Sequence, residues 1–160
     1  MRPVADLRAS NWVEVLPRRD YDAVLTATAL HWIALDRLAD LYGEIRQVLR
    51  PGGVFVNVDY MPDDGLPGLT EMIGQRERAQ WAARLSVGAD LPWEAWWGQV
   101  GKDPSLGPLL EHRRSIFAED HPTEHTPRIS WHLDALRSAG YKQAGSIWRR
   151  GRDAAVAGIR

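Results

Sequence analysis

The sequence contains no cysteine. Disulfides, thiolate nucleophiles and thiolate metal sites are therefore excluded. No apolar run approaches the roughly 18 residues that a membrane-spanning helix requires. The first six residues lack the apolar stretch of a secretory signal, so a cytoplasmic protein is the expectation. Neither sign of charge is in excess, with 20 Lys and Arg against 21 Asp and Glu. That balance gives no electrostatic reason to expect nucleic acid or a membrane surface as partner. The densest basic cluster, Arg149, Arg150 and Arg152, reads as a solvated turn. Phenylalanine is scarce, with two residues against eight tryptophans, so aromatic packing falls mainly to indole rings. No repeat and no low-complexity tract interrupts the chain, and its length suits one domain.

The hydrophobic pattern predicts an α/β fold. Tyr21–Ala27 is a short apolar run that reads as a buried strand. Asp36 opens a helical pattern in which Leu38, Leu41, Tyr42, Ile45, Val48 and Leu49 share one face. Pro51-Gly52-Gly53 closes that helix with a tight turn, and Val54–Asp59 reads as a second buried strand. Strand, helix, turn and strand make a parallel βαβ unit. Residues 61–125 read differently, as a helical insertion punctuated by proline and glycine. Its helices run near Leu69 to Ala83, from Pro92 with Trp93, Trp96, Trp97 and Val100 on one side, and from Leu106 to Phe117. Thr126 and Pro127 then predict a helix start, Gly140 its end, and two strands follow at Lys142–Trp148 and Ala154–Ile159. The connection between them is too short for a parallel crossover, so they must form an antiparallel hairpin.

This order of elements, and the residues that carry it, resemble the C-terminal half of a class I S-adenosylmethionine-dependent methyltransferase. Residues 22–32, Asp-Ala-Val-Leu-Thr-Ala-Thr-Ala-Leu-His-Trp, resemble the motif at the family's fourth strand. Leu49-Arg50-Pro51-Gly52-Gly53-Val54-Phe55 is similar to the turn into its fifth. Residues 132–141 are similar to the helix before its closing hairpin, and Asp6-Leu7-Arg8, with Trp12 shortly after, resembles the acidic motif after its third strand. The Ala-Leu-His-Trp variant looks most like small-molecule enzymes of the trans-aconitate methyltransferase type. The resemblance implies a Rossmann-like α/β core from residues 1–60 and 126–160, truncated at its N-terminus, with residues 61–125 as a substrate lid. One departure stands out. The family's glycine-rich cofactor loop has no counterpart, because no two glycines are spaced as Gly-x-Gly. Only 20 residues precede the first clear strand, so the expectation is a fragment or truncated product.

For individual residues the resemblance implies the following. Asp6 would accept from the adenine amino group with Leu7 beside the ring; the plain alternative is a disordered N-terminal residue. Thr26 and Ala27, at the carboxyl end of a parallel strand, would lie beside the methionine part of S-adenosylmethionine. His31 would contact the cofactor or act as acid or base on the substrate, unless it is a histidine bonded to nearby backbone. Trp32, Trp93, Trp96 and Trp97 are the substrate-binding candidates, with Trp81 in the same aromatic concentration; fastening the insertion to the core is the competing role. His112, His121 and His125 do not complete a metal site, since Pro122 and Pro127 break the helix that would present two of them together. Glu119, Asp120 and Glu124 read as solvated loop residues. The implied function is methyl transfer to a small molecule. The alternative is a non-catalytic or split-enzyme partner. Without a covering strand, Tyr21–Ala27 would be an exposed apolar edge, through which the chain could self-associate or dock a complementary N-terminal half.

Overall fold

The computed structural model describes residues 5–116 and 124–160. Phe117, Glu119, Asp120, His121 and Pro122 lie outside the described residues. The chain divides into two units, one of residues 1–71 with 123–160 and one of residues 72–122. The first unit is α/β. Strands β1 (Tyr21–Ala27), β2 (Leu49–Tyr60), β3 (Gln143–Arg150) and β4 (Asp153–Ile159) form a mixed sheet in the order β1-β2-β4-β3. β1 and β2 are parallel, while β4 runs antiparallel to both β2 and β3. The parallel pair and the hairpin are those expected from the sequence.

Helix α1 (Leu35–Val48) buries Leu38, Leu41, Tyr42, Ile45 and Val48, the stripe its periodicity predicts. Helix α5 (Ile129–Ser138) adds His132 and Leu136. Both pack on the sheet face that carries Phe55: the Tyr42 ring lies 5.2 Å and the Tyr141 ring 6.3 Å from it. A clamp draws in the N-terminal segment. The Arg37 guanidinium grips the Glu44 carboxylate with two bonds of 2.7 and 2.8 Å and also donates to the carbonyls of Arg8 and Ala9. The Trp12 indole donates to the same carboxylate. Burial pushes the Glu44 carboxyl up, but the Arg37 and Trp12 hydrogen bonds outweigh it and hold the group below the usual carboxylate range.

Three expectations need correction. β1 is not the buried strand its apolar run suggests but the exposed edge expected without a covering strand: among the described residues it pairs on one side only, and Leu25 is 72% exposed. The apolar run that suggested burial is the same for a covered strand and an uncovered one. Pro51-Gly52-Gly53 does not precede β2 but lies within it, as an irregularity of pairing between Tyr21 and Ala23. Gly52 has φ of +77°, and a Cβ on Gly53 would lie 2.9 Å from the Arg50 carbonyl and 3.0 Å from that of Tyr21, so only glycine lets the bulge close. α5 starts at Ile129 rather than at Pro127. Its N-cap is Arg128 in extended backbone, without a side-chain cap; the Ile129 amide instead donates to the Pro62 carbonyl, a tertiary partner no local pattern announces.

The second unit is helical. It holds the greater part of α2 (Pro67–Ser86), together with α3 (Trp93–Val100) and α4 (Gly107–Ile116). Trp96 and Trp97 meet edge to face at 4.7 Å, and Trp93 stacks on Trp96 at 5.8 Å. The Arg113 guanidinium sits 4.7 Å from the Trp97 ring centroid. Among the described residues no helix is long and apolar enough to cross a membrane.

Two predictions follow from the packing. Gly158 faces Tyr141 so closely that an added Cβ would lie 2.6 Å from a ring carbon. Gly158→Ala should therefore destabilise the α/β unit by about 2 kcal/mol, read as a lower melting temperature; an unchanged melt would remove this contact from the packing account. Burial depresses His132 from its ordinary 6.5 to about 4. Between those values the unfolded chain binds the proton and the folded chain does not. Stability is thus complete above pH 6.5 and falls as the pH drops towards 4, by on the order of 3 kcal/mol at the limit. Denaturant titrations at pH 7 and pH 4.5 should show the loss, and His132→Leu should flatten it.

Candidate active site

In an open α/β sheet, ligands bind beyond the carboxyl ends of parallel strands. β1 and β2 are the parallel pair, with Ala27 opposite Val58 at their carboxyl ends. The chain leaves β1 through Thr28, whose φ is +47°. A β-branched residue in the left-handed region stores strain of order 1–3 kcal/mol. The Thr28 amide donates to the Val58 carbonyl at 2.9 Å, which holds the turn against β2, while the side chain is exposed. A single 3-10 turn, Leu30–Trp32, follows and drives Leu30 and His31 inward.

That turn brings His31 onto Asp59, near the end of β2. The His31 Nδ1 and Asp59 Oδ1 are 2.7 Å apart, with the two residues 8% and 3% exposed. A carboxylate can only accept, so Nδ1 carries a proton, and in the neutral ring Nε2 keeps the lone pair. The Asp59 carboxylate is satisfied further by the His31 amide at 3.2 Å and the Tyr60 amide at 2.9 Å, which makes its burial tolerable. Trp32 packs its ring 4.7 Å from the imidazole, and the Tyr60 ring lies 6.4 Å away. The His31 carbonyl accepts from the His125 amide at 2.7 Å. The result is an imidazole of fixed orientation and tautomer at the end of two parallel strands. A group so held can accept a proton from a ligand hydroxyl or amine.

A second polar chain runs behind it. The Thr26 hydroxyl donates to the Asn57 Oδ1 at 2.9 Å, the Asn57 amide nitrogen donates to the Tyr42 hydroxyl at 3.4 Å, and that hydroxyl lies 2.7 Å from the His132 Nδ1. Because an amide nitrogen can only donate, the Tyr42 proton goes to His132. This agrees with a neutral imidazole and with the depressed His132 pKa. Its Nε2 is a buried atom without a partner among the described residues.

The other sequence-predicted residues are placed as follows. Thr26 is half-buried with its hydroxyl turned inward to Asn57, and Ala27 is exposed at the strand end. Leu7 packs against the core. Asp6 is exposed, and its carboxylate is taken up by Arg8 through three side-chain hydrogen bonds of 2.9 to 3.1 Å. Hydrogen bonds from the Arg8 side chain and amide hold the Asp6 carboxyl below its ordinary range. Trp93, Trp96 and Trp97 form one cluster in the helical unit, and Trp81 is exposed. A cleft of about 300 Å³ there is lined by Trp96, Trp97, Val100, Leu106, Leu109, Leu110 and Arg113. No metal-binding cluster of His, Asp and Glu occurs among the described residues. The sequence reading missed Asp59 and the Asn57–Tyr42–His132 chain. A signal was present: Phe55, Asn57 and Asp59 alternate with Val54, Val56 and Val58 along β2, so two polar side chains share the buried face with Phe55.

Comparison with known proteins agrees with this architecture. Residues 5–57 match the model of a family described as methyltransferase domain. Among curated proteins none matches in sequence. Of the solved structures, the S-adenosylmethionine-dependent methyltransferase SibL superimposes with a TM-score of 0.55 at 16% identity, over 99% of this chain and 35% of its own. PigF, solved with S-adenosylhomocysteine, gives 0.53 at 15% identity over 98% and 34%. Human N-acetylserotonin methyltransferase, solved with S-adenosylmethionine, gives 0.52 at 14% identity over 98% and 32%. The chain thus spans about a third of the length of the structures it resembles. The match to the methyltransferase-domain model is confined to residues 5–57, and the four-stranded sheet matches part of the fold of these solved structures.

Proposed function

We propose that the chain forms the acceptor side of an S-adenosylmethionine-dependent methyltransferase acting on a small molecule, with His31 as base and Asp59 as the residue that orients it. The observation that carries this reading is the buried 2.7 Å His31–Asp59 pair at the carboxyl ends of β1 and β2. S-adenosylmethionine supplies an electrophilic methyl group on a sulfonium, which leaves as a neutral thioether. The protein must align the acceptor, exclude water and take the acceptor's proton. His31 Nε2 would receive that proton. Asp59 would then face an imidazolium across a charge-assisted hydrogen bond.

The fit to the cofactor is uneven along its length. At its reactive part Ala27 is exposed at the strand end, with the His31 imidazole largely buried beside it. Asp6, the candidate for the adenine end, is already satisfied by Arg8 and would have to exchange that partner. The glycine-rich segment that the family uses has no counterpart in this sequence, and the complete activity is assigned to this chain together with such a segment. The acceptor is read as an oxygen, nitrogen or carbon of a small molecule, the trans-aconitate methyltransferase type being the one that the Ala-Leu-His-Trp residues 29–32 resemble. Residues 61–125, with Trp93, Trp96 and Trp97, are proposed as a substrate lid, and Trp32 separately as a substrate-binding residue, aromatic surface being suited to an apolar substrate body.

A second reading, a non-catalytic or split-enzyme partner, draws on the exposure of β1, where Leu25 is 72% accessible on a strand paired on one side only. Calorimetric titration of S-adenosylhomocysteine into the purified chain separates the two. Micromolar binding supports the methyltransferase reading; a folded chain that binds nothing, yet self-associates or captures a glycine-rich half, supports the second. In the active, completed enzyme, His31→Gln should lower kcat by about 100-fold, and Asp59→Asn should lower it substantially, with little change in cofactor affinity. Full turnover in His31→Gln would exclude His31 as the base.

A further inference from the structure

The sequence reads Arg149, Arg150 and Arg152 alike as a solvated turn, but the structure separates them. Arg149 bonds Asp63 and Thr70, and Arg150 is exposed. Arg152 is half-buried, with its guanidinium carbon 5.9 Å from the centroid of the Tyr60 ring. Among the described residues no carboxylate or carbonyl pairs with that guanidinium. A cation withdrawn from water needs an oxyanion or a set of acceptors, so the charge on Arg152 is left over from the fold. Its backbone is pinned. Gly151 turns the chain with φ of +59°, and the Met61 amide donates to the Arg152 carbonyl at 2.9 Å. Tyr60 and Asp153 form the neighbouring pair of the β2–β4 ladder. Arg152 therefore stands at the carboxyl end of β2, where the sheet receives a ligand. The same Tyr60 ring lies 6.4 Å from the His31 imidazole, so a cation and the candidate base both neighbour one ring, which is 45% exposed.

From this we infer that Arg152 is a specificity-determining residue, whose guanidinium receives an oxyanion carried by the methyl acceptor, a carboxylate or a phosphate, while His31 serves the group to be methylated. An arginine fork matches either oxyanion with two parallel N–H donors. A ring contact engages the face of a guanidinium and leaves its N–H donors to be used. The inference rests on the proposed reading of His31 as the base. It adds a residue to that site and a charge that the substrate must carry. Neutral isosteres of such a substrate lose affinity at Arg152 and not at His31.

The test uses the whole chain and two probes, 4-hydroxybenzoate and its neutral isostere 4-hydroxybenzamide, titrated at neutral pH while the His31 imidazole resonances are followed by NMR. The wild type should bind the benzoate at least fivefold more tightly than the benzamide. Arg152→Gln should bring the two probes within about twofold, whereas Arg150→Gln, at the exposed neighbour, should keep the full preference. In the wild type the Arg152 Nε–H resonance should shift with the benzoate and not with the benzamide, a readout that needs no variant to fold. A preference that survives Arg152→Gln, an Arg152 resonance that ignores the benzoate, or a wild type that binds neither probe or both equally would overturn the inference. A chain that shows the preference but binds no S-adenosylhomocysteine keeps the anion site and loses the methyltransferase reading. One that binds S-adenosylhomocysteine without the preference loses this inference alone.

Discussion

Two polar side chains on the buried face of a central strand organise the α/β unit. Asn57 and Asp59 are 0% and 3% exposed, beside Phe55 on the same face of β2. A buried amide and a buried carboxylate without partners would cost more than an isolated domain can spare. Each therefore recruits a set of groups from other elements. Asn57 takes Thr26 from β1 and Tyr42 from α1, and through Tyr42 it reaches His132 on α5. Asp59 takes His31 from the turn after β1. Satisfying two side chains thus fixes the register and spacing of two strands and two helices. A fully satisfied buried network specifies one arrangement more sharply than apolar packing alone.

The two chains of hydrogen bonds differ in what they leave over. The Asn57 chain ends inside the protein, on a neutral His132 held there by burial and by the direction of every bond before it. The Asp59 pair ends on an imidazole with a definite tautomer, at the open end of the parallel strands. Burial of the carboxylate is what gives that imidazole its orientation. The same physics produces a structural histidine on α5 and a candidate base in the turn after β1, and position relative to the strand ends decides between them. Cavity volume is a poorer guide: the hollow of about 550 Å³ between α1 and α5 contains neither His31 nor Asp59.

Backbone strain and an exposed apolar side chain occur together at the β1 edge. β1 is paired on one side, leaves Leu25 in solvent, and ends in the left-handed Thr28. By contrast, the hairpin side of the sheet is closed by tight packing, where Gly158 admits the Tyr141 ring. β1 is also the strand whose carboxyl end carries the candidate site.

The sequence by itself determined the elements, because they are written in local periodicity. The three-and-four spacing from Leu38 to Val48 gave α1 and its buried stripe, although Leu49, which continues the spacing, begins β2 instead, and the five residues between Trp148 and Ala154 forced a hairpin. His31 was legible as a candidate from its place just after a strand. Tertiary structure decided the rest. Whether an apolar run is covered depends on neighbours, so Tyr21–Ala27 reads locally as a buried strand, and only the lack of a covering strand in the implied fold marks Leu25 as exposed. Asp59 becomes the partner of His31 through a contact spanning 28 residues, and no local pattern ties a carboxylate to an imidazole at that separation. The α5 boundary was set by the Pro62 carbonyl, and the strain at Thr28 by the hold of Val58. Periodicity fixes which face of an element is apolar; only the assembled sheet fixes what each polar side chain meets.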